Sequence, residues 1–186
     1  MAGARSEFEE LRSRLQLDAD GALTLNAQAM VLLPRHFFRY ILREVKAAAS
    51  PEAFQKIFWT AGRDGAVTFC RRFQEGHGCT PRQAVEGYLK EMSLRGWGQF
   101  TIQRLAPETG EIEVALHNSA LAPEGDLPSG NMIWEGAMCG AGAFLREAAS
   151  QPLEGSLVSR GEVVSEGETA YFHIIVSVDA ERKPVP

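Results

Sequence analysis

Residues 131–149 are the stretch that most restricts what this chain can fold into. Their centre reads Trp134-Glu135-Gly136-Ala137-Met138-Cys139-Gly140-Ala141-Gly142-Ala143-Phe144-Leu145, a helical pattern broken by glycine. Small residues at 136, 140 and 143 recur at helical spacing and therefore share one face. Each glycine costs a helix interior roughly 1 kcal/mol against alanine, so the bare stripe implies a packing or binding role. Residues 155–176 then read as a β-hairpin: strand 156–165, the turn Glu166-Gly167-Glu168, and strand 169–176. Together these segments predict a small-faced helix over an apolar, β-branched strand. Such a pair either packs tightly or encloses a shallow pocket between helix and sheet.

The remainder of the chain supplies elements for the same layers. Residues 6–14 read as a short helix. Leu15, Leu17, Leu23 and Leu25 flank an Asp-Gly turn, a strong hairpin signal, giving an N-terminal arm at 14–26. The apolar run Met30-Val31-Leu32-Leu33 stops at Pro34, which opens a helix over 34–49. Ser50-Pro51 and Thr80-Pro81 are start signals, with a capping residue followed by proline in the first turn. They predict a helix from 51 to about 73, through Gly62 and Gly65, and another from 81 to about 95. Gly96-Trp97-Gly98 breaks the last of these. Strands follow at 100–105 and 111–117 around Pro107-Glu108-Thr109-Gly110. Residues 118–130 form a loop, and 179–186 a charged tail expected to be disordered.

Strands that come as adjacent pairs predict a largely antiparallel sheet with helices on one face, an α+β architecture. At 186 residues, 45% hydrophobic and 23% charged, the chain fits one domain with a real core. The net charge of −5 argues against a nucleic-acid partner. No apolar run is long enough for a membrane span, and the first residues lack the apolar segment of a signal peptide. Three cysteines without close pairing suit a reducing, cytoplasmic compartment.

Several pieces in this order resemble the 4-vinyl reductase domain family. They are Val31-Leu32-Leu33-Pro34 before the first long helix, Ala61-Gly62-Arg63-Asp64-Gly65, Gly96-Trp97-Gly98 before a hairpin, and Asn118-Ser119-Ala120 after the second strand. The glycine helix and last hairpin complete the likeness, which covers residues 15–178. The family includes bacteriochlorophyll 4-vinyl reductase-like proteins and the sensor domains of phenol- and xylene-responsive regulators. Its fold is related to vesicle-tethering TRAPP subunits. The resemblance implies a small-molecule-binding module, often dimeric. Many relatives hold zinc through a cysteine at the start of the last helix, with a glutamate and two cysteines around the last hairpin. Those positions are Asn131, Arg160, Val163 and Tyr171 here, which cannot form such a site. No metal or cofactor is therefore expected, and packing by Val163, Tyr171, Ile174 and Val176 is expected to hold the hairpin instead.

The candidate ligand-binding residues are Trp97, Phe100, Leu116, Trp134, Met138 and Phe144, lining a pocket between the 131–149 helix and the sheet. Trp134 and Met138, four apart, share a helical face. Phenol-sensing relatives place a histidine near the end of the third helix. Met92 stands there, so the expected ligand is less polar than phenol. Cys139 reads as a small buried hydrophobe, and Cys70, beside Arg71 and Arg72, as an ordinary helix cysteine. No histidine pair has zinc-enzyme spacing. The chain thus reads as a binding or sensing module for an apolar or aromatic molecule, a homodimer without its own output domain that signals through a separate protein partner. The alternatives are a tetrapyrrole-related reductase or enzyme-assembly subunit and a structural dimerisation module. The reductase reading is weakened because no nicotinamide or flavin fingerprint is present.

Overall fold

The computed structural model describes residues 9–25, 28–121, 131–148, 156–166 and 169–179; within the last two strands, Phe172 is the side chain described. Residues 9–14 are helical. They lead into β1 (Leu15–Leu17), β2 (Leu23–Leu25) and β3 (Gln28–Ala29). Next come α1 (Arg35–Ala48), α2 (Pro51–His77), α3 (Pro81–Leu94), β4 (Gln99–Ala106) and β5 (Glu111–His117). Helix α4 (Asn131–Ala148) and the strands β6 (Ser156–Glu166) and β7 (Thr169–Asp179) complete the order.

Both sheets are antiparallel. One has the order β1-β2-β3 and the other β4-β5-β7-β6. The α+β architecture is the one expected. The hairpins do not all join one sheet, however: the N-terminal pair forms a small sheet of its own with β3. That two-residue strand carries too little pattern to be read from sequence.

The helix starts follow the predicted chemistry. The Ser50 hydroxyl accepts the Ala53 N–H at 3.2 Å, and Thr80 and Gln83 form a reciprocal capping box. Helix α2 runs past the expected end at 73 and stops at Gly78, whose φ of 59° places it in the left-handed region.

Helix α4 lies at the centre. Trp134 and every residue from Gly136 to Leu145 are buried, as expected of a helix apolar all round. It packs against the sheet, chiefly β7, and more extensively against α2. The glycine stripe meets α2, not the strand expected beneath it. A Cβ added at Gly136 would strike the carbonyl of Trp59, one at Gly140 that of Arg63, and one at Gly62 that of Ile133. The stripe therefore lets two helix backbones touch. Ile112, Leu116 and Phe172 of the sheet are buried with Met138 and Leu145 of α4 in the core.

In the N-terminal hairpin Leu25 is buried, Leu15 and Leu23 are half-buried, and Leu17 is 71% exposed. The tail from 180 and the side chains at 163, 171, 174 and 176 lie outside the described residues.

Candidate functional site

A cleft of about 1040 Å³ opens along α2, on the side of α4 that faces the helices. Its floor is buried and comes from three helices: Phe58 and Gly62 of α2, Tyr88 and Met92 of α3, and Trp134 and Ala137 of α4. Ala61, Asp64, Gly65, Thr68 and Arg72 form an exposed rim. The lining runs from Phe58 to His77, roughly 28 Å of helix at 1.5 Å per residue.

One end is an aromatic cluster. Trp97 sits between Gly96 (φ 81°) and Gly98 (φ 144°), so the chain can turn sharply on both sides of it. Its N–H donates to the Met92 carbonyl at 3.1 Å, and its carbonyl accepts the Ala120 N–H at 2.8 Å. The indole meets Phe38 at 5.7 Å and Trp134 at 5.8 Å between ring centres, both edge-to-face. Phe100 meets Trp134 edge-to-face at 5.0 Å. Such pairs contribute about 0.5–1.5 kcal/mol each beyond their buried area. The buried Trp134 Nε1–H has no hydrogen-bond partner among the described residues.

Of the six residues proposed from sequence, Trp97 and Trp134 line the cleft. Phe100 supports the Trp134 ring. Leu116, Met138 and Phe144 are buried in the core and are not among the cleft's lining residues. The expected opening between α4 and the sheet is not where the cleft lies, because apolar side chains from both layers are buried there.

The other end joins aromatic rings to cations. Phe69 and Phe73 stack at 5.8 Å, Phe73 and His77 at 4.1 Å, and Phe69 approaches Tyr88 at 5.2 Å. The Arg95 guanidinium stands 5.5 Å from the Phe69 ring centre. Sequence reading missed this end. The signal was the spacing Phe69, Phe73, His77, one face of a helix, but the predicted end of α2 at 73 cut that face short.

Electrostatics at this end is asymmetric. Glu91, 5% exposed at its side chain, makes a close ion pair with Arg14 and a longer one, 3.6 Å, with Arg95. Two cations thus flank Glu91, and Arg14 also pairs with Glu10 at 3.3 Å. Burial, together with the like charge of Arg14, lowers the Arg95 pKa from its ordinary value, against the opposing pull of Glu91. Burial also raises Tyr88. It pushes the Cys70 thiol up to about 12, with Cys79 adding to the effect. The neighbouring Arg71 and Arg72 therefore do not activate this cysteine. Glu135, beside Trp134 in sequence, is likewise raised by desolvation. Among the described residues no three His, Cys, Asp or Glu side chains come together as a metal site, and no helix is long and apolar enough to cross a membrane.

A second cleft of about 200 Å³ adjoins the first through Met30, Phe38, Arg95 and Trp97. Leu15 and Leu25 of the N-terminal hairpin help to line it, so the arm covers part of its own chain.

Comparison with known proteins gives the fold a context. A family model described as a domain of unknown function, DUF5943, matches residues 12–103, just under half the chain. No curated protein matches. The crystal structure of the phenol-responsive sensory domain of the transcription activator PoxR, with phenol, is similar in fold. It has a TM-score of 0.65 at 15% identity and covers 95% of this chain and 91% of that one. A trafficking protein particle complex subunit 3 from Naegleria fowleri, covalently bound to palmitic acid, reaches a TM-score of 0.49 at 10% identity, covering 77% of this chain and 95% of that one. The fold expected from the family resemblance is thus shared with a sensory domain.

Proposed function

We propose that this chain is a 4-vinyl reductase-like, small-molecule-binding module whose ligand lies in the cleft along α2. The observation that carries this reading is the cleft itself: about 1040 Å³, with aromatic rings from α1, α2, α4 and the Gly96–Gly98 turn on its walls. Ligand sites are typically concave, mostly apolar and supplied with a few polar groups, and this one has that make-up. The shared fold with a phenol-responsive sensory domain supports it. Trp97 and Trp134 contact the ligand, which has an apolar or aromatic body, and Phe100 fixes the Trp134 ring. Met92 lies on the floor and offers no hydrogen bond to a hydroxyl, so a non-hydroxylated aromatic is preferred over phenol in the space beside it.

The module works as a homodimer that passes ligand occupancy to a separate protein partner. Leu17, Phe37 and Tyr40, all large and exposed, favour such association. Deleting the residues before Ala27 should lower dimer content in sedimentation velocity; an equally dimeric and stable truncation would contradict that role for the arm. The cleft's volume, at the upper end of ordinary ligand sites, keeps a tetrapyrrole-handling role as the second reading.

The test is a thermal-shift and tryptophan-fluorescence titration with naphthalene, phenol and a porphyrin. Saturable naphthalene binding, weakened at least about tenfold in a folded Trp97→Phe, Trp134→Phe double variant, supports the site. A porphyrin bound in preference favours the second reading. Binding untouched by the double variant would show that the ligand lies elsewhere.

A further inference from the structure

We infer that the ligand of this cleft is a hydrophobic carboxylate, its apolar body against the Trp97–Trp134 cluster and its anionic group held by Arg95. This rests on the reading of the cleft as a small-molecule site and adds the charge and polarity of the molecule it takes.

On the lining, Trp134 Nε1 is buried without a hydrogen-bond partner among the described residues, and Arg95 Nε faces Glu91 Oε2 at 3.6 Å, beyond hydrogen-bond range. Both are donors. Buried polar groups are normally satisfied, so the Trp134 N–H calls for an acceptor, and a guanidinium has further donors besides the one aimed at Glu91.

The charges point the same way. Asp64, the one carboxylate on the lining, is paired with Arg63 at 2.8 Å. Arg72, also on the lining, is an exposed cation. Arg95 shares Glu91 with Arg14 and stands at the longer distance, 3.6 Å, beyond hydrogen-bond range. Its side chain is 13% exposed. A cation this little exposed, with its carboxylate beyond hydrogen-bond range, is electrostatically incomplete. A guanidinium presents paired N–H groups that match a carboxylate, and this one remains charged even where burial opposes it. Phe69 holds its flat face at 5.5 Å, which fixes the group at the cleft wall.

The test compares molecules that differ only in charge. Full-length protein is titrated with 2-naphthoate, its uncharged amide and naphthalene, by calorimetry at low and at moderate salt. Dodecanoate against dodecanamide repeats the comparison with an alkyl body, and the tighter acid identifies the body the cleft prefers. The expected result is that the acids bind at least about tenfold more tightly than the amides, as a hydrogen-bonded charge pair in a partly buried site implies. Arg95→Gln should remove that difference while leaving naphthalene affinity within about twofold. If Arg95→Gln fails to fold, the acid-to-amide ratio in the unaltered protein still decides. Amides bound as tightly as acids would overturn the charge assignment and leave the small-molecule site standing. Absence of binding by every compound would overturn both.

Discussion

Gly62 and Gly65 stand one turn apart on α2 and do opposite things. Gly62 is buried, and its missing side chain admits the carbonyl of Ile133, so that α2 and α4 meet backbone to backbone. Gly65 meets nothing within 4 Å and lies on the rim of the cleft. The same residue type therefore marks a closed contact at one position and open space at the next. The difference shows how the cleft is made. Glycine draws the two helices together along the 136–140 stripe, and the cleft opens along α2 beside that contact.

The largest effect should come from closing the wrong gap. Gly136→Ala places a methyl group on the Trp59 carbonyl, and neither backbone can yield without moving a helix. Overpacking typically costs about 1–3 kcal/mol, and a clash between two backbones belongs at the upper end. Chemical denaturation should show a clear loss of stability, whereas an unchanged midpoint would mean that the helices are not in contact. Gly65→Ala should do the reverse. It removes a helix-interior glycine without meeting another atom and should gain up to about 1 kcal/mol.

Thiol accessibility sharpens the same contrast between closed core and open surface. Cys70 and Cys139 are buried, and burial raises the Cys70 thiol to about 12. Cys79 is half-buried. A thiolate reagent at pH 8 should label Cys79 first, and the other two only with unfolding. Rapid native labelling of Cys70 would contradict the closed packing of α2.

The smallest effect concerns Glu135. Desolvation raises its pKa in the folded state, so the ionised form disfavours folding above its unfolded value of 4.5. Stability linked to this group is fully present below that value and falls as pH rises through the folded pKa. Glu135→Gln should therefore raise the thermal midpoint slightly at pH 7, with the gain disappearing towards pH 4. An equal gain at both pH values would assign the effect to something other than charge.

Much of the scaffold was legible before the structure. Ser50-Pro51 and Thr80-Pro81 announce their helices because capping is local chemistry. The alternation of Ile112, Val114 and Leu116 announces β5, and the bare stripe at 136 and 140 announces a close contact. Its partner was not legible, since a small-residue stripe suits a sheet or a helix equally well. Trp97 and Trp134 could be nominated because glycines and helix position single them out. Leu116, Met138 and Phe144 carry the same apolar signal as any core residue. Arg95 was invisible as a site residue: its interest lies in the cluster it forms with Glu91, 4 positions away, and Arg14, 81 positions away.

The measurement that bears most directly on the cleft is a ligand titration of Gly65→Leu. A Cβ built at this position meets no atom within 4 Å, so the fold should persist with an equal or higher thermal midpoint. The leucine should narrow the cleft at its rim and weaken naphthalene and 2-naphthoate binding at least about tenfold. Unchanged affinity for both compounds in a folded Gly65→Leu protein would contradict the assignment of the cleft as the ligand site.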